Sequence, residues 1–415
     1  MPMADRQLAR RAARRAQRRA ALAGEGQGSG SIASPTLPNA SVLFRDIEVV
    51  PGDSYRLRSI LTNGGPVWPD FQVQTLARFM HNGRFVDAPI DPSLGPLERI
   101  DRPCVWGGYA IHHFGHLIAD HLTRVLESRV NRPEDLFLFV LRPGHVAADT
   151  PDYFWQILEW YGVSRAMVQF VTSPVMVSQL RCFAQAEPLG SNPPSEHYLS
   201  LLADNAQSQR LQAEFTELAY VGRMGLLGQG KGGAAGEAYL AEMLACKGVR
   251  VLDPSQASLR DQLSVYAGAK VLIFSEGSAI HGRQLLGRLD QSIVIFNRRT
   301  GARIAQTAIT ARCADLRYVE ACGRVINIGT FGVRKHKALT MSLYDLDAVF
   351  ATFGGFGIDL ESDWDQAAYA AAVCQDAERW LLGQAEIMGA VVFDLEEAYH
   401  DLHAAGVPVR RPYDI

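Results

Sequence analysis

Cysteine is scarce in this 415-residue chain: six residues, Cys104, Cys182, Cys246, Cys313, Cys322 and Cys374, none in a CxxC pair. That scatter excludes a zinc ribbon and a disulfide framework, and it suits a reducing, cytoplasmic setting. Long apolar runs are also missing. No stretch of 18 apolar residues occurs, so no segment reads as membrane-spanning. Net charge is small, −3 from 41 Lys+Arg against 44 Asp+Glu, which leaves the body of the chain without the basic footprint of a nucleic-acid binder. There is no internal repeat. The HExxH signature of a zinc hydrolase is absent too, since positions 113–117 read His-Phe-Gly-His-Leu; no metal site is predicted and no cofactor. What remains is ordinary: 47% hydrophobic and 20% charged residues, the composition of a globular protein able to bury a large core.

The charge that is present is uneven. Residues 1–20 hold seven arginines against Asp5 alone, a formal +6 that leaves about −9 for the rest. This tail has no apolar core and does not read as a secretory signal. It is either a solvated arm or a tether to an anionic membrane surface. Residues 21–41, rich in Gly and Ser with Pro35 and Pro38, read as a linker.

The folded part is predicted to start near Ser41. Val42–Val50 reads as a strand, and 51–103 as short strands and loops. Residues 104–109 are apolar and end in Gly107-Gly108, followed by a helix over 112–126. Leu136–Leu141 is a strand, Tyr153–Tyr161 a helix, Val168–Phe183 two strands, and 195–214 helical. From Leu218 the alternation is regular: strands at 218–221, 248–252, 270–274 and 292–296, helices at 236–246, 258–269 and 278–289. Strands and helices alternating at these lengths imply parallel βαβ units. The segment 340–405 reads as helices broken at Gly354–Gly357.

Three stretches carry chemistry. In Val271 to His281, four apolar residues run into Ser275-Glu276-Gly277-Ser278, a buried strand feeding a helix. Ligands in α/β proteins sit at such strand ends, and N–H groups of Gly277, Ser278 and Ala279 suit an anion. Glu276 would repel that anion unless it turns to sugar or ribose hydroxyls. In the second stretch, His112, His116, Asp120 and Arg124 lie four apart and would share one helical stripe. A His–Asp pair there can serve or orient a general base. In the third, Gly222 to Gly233, Gly225–Lys231 fits GxxxxGK but lacks the following Ser/Thr, and Gly228–Gly233 fits GxGxxG with Asp253 beyond it. The latter keeps a nicotinamide-dependent oxidoreductase open, although the glycines lie several residues past the strand end; a loop over a cleft is the plainer alternative.

The ordered set His113-Phe114-Gly115-His116-Leu117-Ile118, Asp120, Leu122 and Arg124, then Tyr220-Val221-x-Arg223, Gly236-Glu237, Asp261-Gln262 and Phe274-Ser275-Glu276-Gly277-Ser278-Ala279-x-His281 resembles bacterial glycosyltransferase family 61, whose members are often labelled capsular polysaccharide biosynthesis proteins. The resemblance covers about 105–300. It implies a GT-B-like α/β fold, two Rossmann-like halves facing a cleft with C-terminal helices. It also implies inverting, metal-independent transfer from a nucleotide sugar, expected to be UDP-linked, to a glycan acceptor. Arg223, Ser275, Glu276, Gly277, Ser278, Ala279 and His281 would then bind the donor, and His113, His116 and Asp120 would face the acceptor, with Asp120 and His116 as rival bases. Asp120 stands where the family commonly has Glu. The corresponding division is 1–40 tail and linker, 41–215 acceptor side, 216–335 donor side and 336–415 a helical segment packing back on the cleft. The expected location is the cytoplasm, peripherally at the inner face of the membrane if the tail is a tether. A non-catalytic sugar-nucleotide or glycan binder is the remaining alternative.

Overall fold

The computed structural model describes residues 40–56, 61–190, 192–330, 339–388 and 393–410. The arginine-rich tail and nearly all of the linker lie outside them. The fold is mixed α/β with several sheets. The first sheet has seven strands, in the order Leu61–Pro66, Ser41–Arg56, Val175–Phe183, Cys104–Ala110, Leu136–Leu141 and Val168–Val171, with Glu98–Ile100 pairing to Val175–Phe183. Its central strands, Cys104–Ala110 and Leu136–Leu141, are parallel. The Leu136–Leu141 strand is buried at every position, which is why it reads as an unbroken apolar run rather than an alternating one.

The second sheet is wholly parallel. Its strands lie in the order Arg250–Leu252, Thr216–Val221, Ala269–Ser275, Ser292–Phe296, Asp315–Val319. Counted along the chain within this sheet, that is 2-1-3-4-5, the doubly wound order whose switch point falls between the first and third strands. The carboxyl ends that meet there are Val221 and Ser275. Helix Leu259–Gly268 joins the flanking strands, and its start is fixed as its sequence requires: the Ser258 side chain accepts from the Asp261 N–H.

A third, small sheet joins Gly233–Ala234, Met341–Tyr344 and Cys322–Ile326. Helices Leu346–Gly354, Gln366–Met388 and Leu395–Ala404 complete the C-terminal part, so 340–405 is not wholly helical. Among the described residues no helix is long and apolar enough to cross a membrane. All six cysteines are free.

Three elements depart from expectation. The helix expected over 112–126 is broken into Phe114–His116, a π-helical turn Leu117–His121, and Val125–Asn131. The wider π turn shifts the helical phase of the residues after it. Arg124 therefore leaves the polar stripe and enters the core, donating to the Ala77 carbonyl (3.2 Å) and the Cys182 sulfur (2.9 Å). The helix expected over 278–289 is a 3-10 helix, Ser278–Leu285. The helix expected over 195–214 ends at Ser208.

One hydrophobic core runs through both large sheets. Val105, Phe137 and Phe139 of the first and Ala219, Leu272 and Ile293 of the second belong to the same buried cluster. Two polar contacts pin the junction: Trp160 Nε1 donates to the Leu285 carbonyl (3.2 Å), and Leu259 N–H to Gln156 Oε1 (2.7 Å).

Candidate active site

The switch point of the parallel sheet is occupied by Arg223. It follows the strand that ends at Val221, and its Nη2 donates to the Gly232 carbonyl (2.8 Å). Its Nε is buried without a hydrogen-bond partner. Burial lowers its pKa from the usual guanidinium value, against the opposing pull of Glu237 and Glu276. A Cβ on Gly277 would lie 1.8 Å from Arg223 Nη1. Gly277 itself is extended, with φ 177°, so the glycine supplies space rather than an unusual backbone. Beneath the arginine, buried Glu237 accepts from the Tyr220 hydroxyl (2.7 Å), which lies 3.0 Å from the Tyr344 hydroxyl. Burial raises the Glu237 pKa, although Tyr220, Ser275 and Arg223 all favour its ionised form.

Glu276, expected to face substrate hydroxyls, is fully buried. Its carboxylate accepts from the backbone N–H of Arg298 (2.9 Å) and Arg299 (3.1 Å) and from Arg299 Nε (2.7 Å) and Nη2. It thus anchors the loop after strand Ser292–Phe296 and answers the charge of Arg299. Ser275 is also buried, whereas Gly277 and Ser278 line the cavity below.

Across from the strand end stands the histidine cluster. His113 caps its short helix, with Nδ1 accepting from the His116 N–H at 3.3 Å. His116 Nδ1 lies 2.9 Å from Asp120 Oδ2. Asp120 has no exposed surface; its Oδ1 meets His81 Nδ1 at 3.0 Å and the Leu189 N–H at 3.2 Å. Burial alone would raise the Asp120 carboxyl, but the bonds from His116 and His81 hold it well below the usual carboxylate range. Burial, with His116 and His281 nearby, pushes His113 down to about 4. His281 Nδ1 is engaged by Gln284 Oε1 at 2.5 Å, and burial lowers its pKa.

The two clusters touch at Gly115. A Cβ there would meet His281 Cδ2 at 2.8 Å and Ser278 Cβ at 3.1 Å, so only glycine lets the His-rich turn seat against the 3-10 helix. Beside this contact lie two adjoining lobes of cavity whose linings share His113, Arg223 and Ser278. One lobe, about 550 Å³, is lined also by Asn82, His116, Gly277, His281, Arg298 and Arg303. The other, about 690 Å³, is lined by Tyr153, Asp253, Ser255, Gln262, Ala279 and Lys231 among others. His81, His116 and Asp120 each bring a potential ligand atom within 4.8 Å of the others, a donor set that could hold a metal ion. Here both imidazoles point Nδ1 at the carboxylate and are hydrogen-bonded to it.

Residues 114–283 match the family model Glycosyltransferase 61. Over that span the chain is similar to glycosyltransferase family 61. The protein is accordingly a glycosyltransferase, an enzyme that takes a sugar donor and an acceptor. No curated protein matches the chain.

The glycine-rich run of the glycosyltransferase has a packing role. Gly383 of helix Gln366–Met388 lies so close that a Cβ there would meet Gly230 N at 2.6 Å, and Gln384 Nε2 donates to the Gly230 carbonyl (2.5 Å). The run does not form the tight strand-to-helix turn that a dinucleotide fingerprint requires, which removes the structural context for an oxidoreductase. Neighbouring Gly222, Arg223, Lys231 and Gly232 do line the larger lobe.

Several cavity residues of the glycosyltransferase carry no signal that sequence reasoning picked up. Arg298 and Arg299 follow strand Ser292–Phe296, so the strand-end rule that singles out Ser275–Ser278 could have found them. Arg298 is 5% exposed, with Nη1 on the Thr340 carbonyl (2.6 Å) and Oγ1 (2.9 Å), and its Nε has no partner. Asn82 and His81 come from the hairpin Met80–His81/Arg84–Phe85, which no local pattern ties to the site.

Proposed function

We propose that this glycosyltransferase transfers a sugar from a UDP-linked donor to a glycan acceptor, with inversion and without a metal, in the synthesis of surface or capsular polysaccharide. We read the two large sheets as the halves of a GT-B arrangement, with the donor held by the parallel one. The observation that carries the reading is the smaller lobe, which His116, backed by buried Asp120, lines together with Arg223 and the Gly277–Ser278 turn.

The tautomers assign the roles. His113 Nδ1 accepts a backbone N–H, so the neutral ring keeps its proton on Nε2 and acts as a donor. Asp120 is buried with both oxygens occupied, which makes it an orienting group. His116 donates Nδ1–H to Asp120 and is left with Nε2 as an acceptor, the arrangement of a general base. In the proposed step His116 Nε2 takes the proton of the acceptor hydroxyl as its oxygen attacks the anomeric carbon. The bond from that carbon to the donor phosphate oxygen breaks, and the nucleoside diphosphate leaves with the electron pair. Arg223 and Arg298, two buried guanidiniums with an unpartnered Nε each, supply fixed positive charge for it. The larger lobe, with Asp253, Ser255 and Gln262, suits the nucleoside; the smaller suits the transferred sugar and acceptor. The proposed location is the cytoplasm, with the arginine-rich tail at an anionic membrane surface.

The test is a panel of UDP-sugars with and without glycan acceptors, read as UDP release, beside a thermal-shift comparison with NAD. The wild type should release UDP, and His116→Ala and Arg223→Ala should each lose it by roughly 10²–10³. Stabilisation by NAD alone, or full turnover in both variants, would overturn the reading. Binding without release under every condition would favour a non-catalytic binder.

A further inference from the structure

We propose that His81, on a hairpin outside the family-matched segment, is a positioning residue that completes a four-member chain, Asn82–His81–Asp120–His116, and thereby fixes which nitrogen of His116 is free for the acceptor. This rests on the reading of His116 as the base.

The direction of each bond comes from chemistry. The Asn82 amide nitrogen lies 2.8 Å from His81 Nε2. An amide nitrogen can only donate, so His81 Nε2 accepts and the neutral ring carries its proton on Nδ1. That proton points at Asp120 Oδ1, 3.0 Å away. Asp120 therefore receives two imidazole N–H groups, one on each oxygen, and the Leu189 N–H besides. A carboxylate satisfied in this way stays ionised and holds His116 in a single tautomer and orientation.

The hairpin is itself held in place. Asn82 N–H donates to the Leu189 carbonyl (2.7 Å). Gly190, at φ +70°, leaves no room for a Cβ, which would fall 2.3 Å from Asn82 Oδ1. The loop around Leu189 thus grips Asn82 with one peptide group and Asp120 with another, and closes a ring around the pair. Other groups facing this chain are His113 and His281 beside His116, and His121 and Arg124 beyond Asp120 on the same turn. Among the described residues none of them is hydrogen-bonded to the Asp120 carboxylate.

Removing His81 strips one donor from Asp120. Asp120 is then held less firmly and no longer confines the His116 proton to Nδ1. The experiment uses the full chain labelled with ¹⁵N-histidine, with His116 assigned through His116→Gln. In the wild type, His116 should show a protonated Nδ1 and a bare Nε2 at neutral pH. In His81→Ala a second tautomer of His116, with its proton on Nε2, should appear beside the first. The rate at neutral pH should fall roughly tenfold with little change in donor KM. His81→Asn, whose amide nitrogen can take the place of Nδ1, should restore most of the rate and the single tautomer. A merely structural role would lower the melting temperature and leave the His116 tautomer unchanged. That result, or a wild-type His116 that carries its proton on Nε2, would overturn the proposal. If the His81 coupling appears but His116→Gln turns over at the wild-type rate, the assignment of the base fails instead.

Discussion

Substituting Gly277 by Ala tests the site through a single methyl group. The new Cβ would stand 1.8 Å from Arg223 Nη1, 2.7 Å from Cζ and 2.9 Å from Cδ of the same side chain, and these are its three nearest neighbours. The backbone at 277 is extended and accepts alanine without strain. The whole perturbation therefore falls on Arg223, whose guanidinium must retreat by roughly 1.5–2 Å to reach normal contact. That shift breaks the 2.8 Å bond to the Gly232 carbonyl and withdraws positive charge from the switch point. If Arg223 stabilises the leaving diphosphate, Gly277→Ala should cost roughly 10²–10³ in rate, as for the loss of one preorganised contact. Global stability should barely change, because the arginine can move into the adjoining cavity. The decisive comparison is a double-mutant cycle by UDP release and urea unfolding. In an Arg223→Ala background those three close contacts are gone, so Gly277→Ala should lower the rate less than about threefold further. Full activity in Gly277→Ala, or additive losses in the double variant, would refute the reasoning.

Two further outcomes are expected. Glu276→Ala should destabilise the fold by about 2–4 kcal/mol in urea unfolding, because it removes the buried partner of an Arg299 side chain that is 32% exposed and of two backbone N–H groups; unchanged stability would contradict the structural role given to this carboxylate. Acid should also weaken the fold. Burial pushes His113 down to about 4 and His121, stacked on Phe79 at 4.5 Å, down to about 3. The unfolded chain then takes up protons that the fold refuses. This contribution is fully present above a pH of about 6.5 and is lost as pH falls toward 4 and then 3, on the order of a few kcal/mol in all. Urea midpoints between pH 7 and 4.5 should show the decline, and His121→Phe should flatten it.

Much of the second sheet is legible in the sequence because its signals are local. Apolar runs such as Val271–Phe274 are buried in a parallel sheet, Ser258 caps its helix, and the order of alternation fixes the connections. The turn after Ser275 stands out for the same reason. Glu276 is different: its partners come from the loop after the next strand, 22 and 23 residues on, and no local pattern announces them, so a carboxylate expected at substrate hydroxyls turns out to be an internal anchor. The 112–126 segment departs in another way. Its periodicity is real, but the π turn at Leu117–His121 breaks the phase, sending Arg124 inward while keeping His116 and Asp120 together. His81 illustrates the limit, a lone histidine in a turn-rich stretch whose meaning lies in a contact across 39 residues.

The core that runs through both sheets bears on how such an enzyme can be altered. Apolar residues from the two sides fill one volume, and Gly115 leaves no slack where the His-rich turn meets the 3-10 helix. The halves are therefore not interchangeable cassettes. A chimera that replaces the chain after residue 215 with a foreign parallel sheet would inherit a mismatched seam and would need Gly115, Trp160 and Leu285 recut together. If the larger lobe holds the donor as proposed, new donor preference is better sought by changing side chains on its wall, such as Asp253, Ser255 and Gln262, than by recombination.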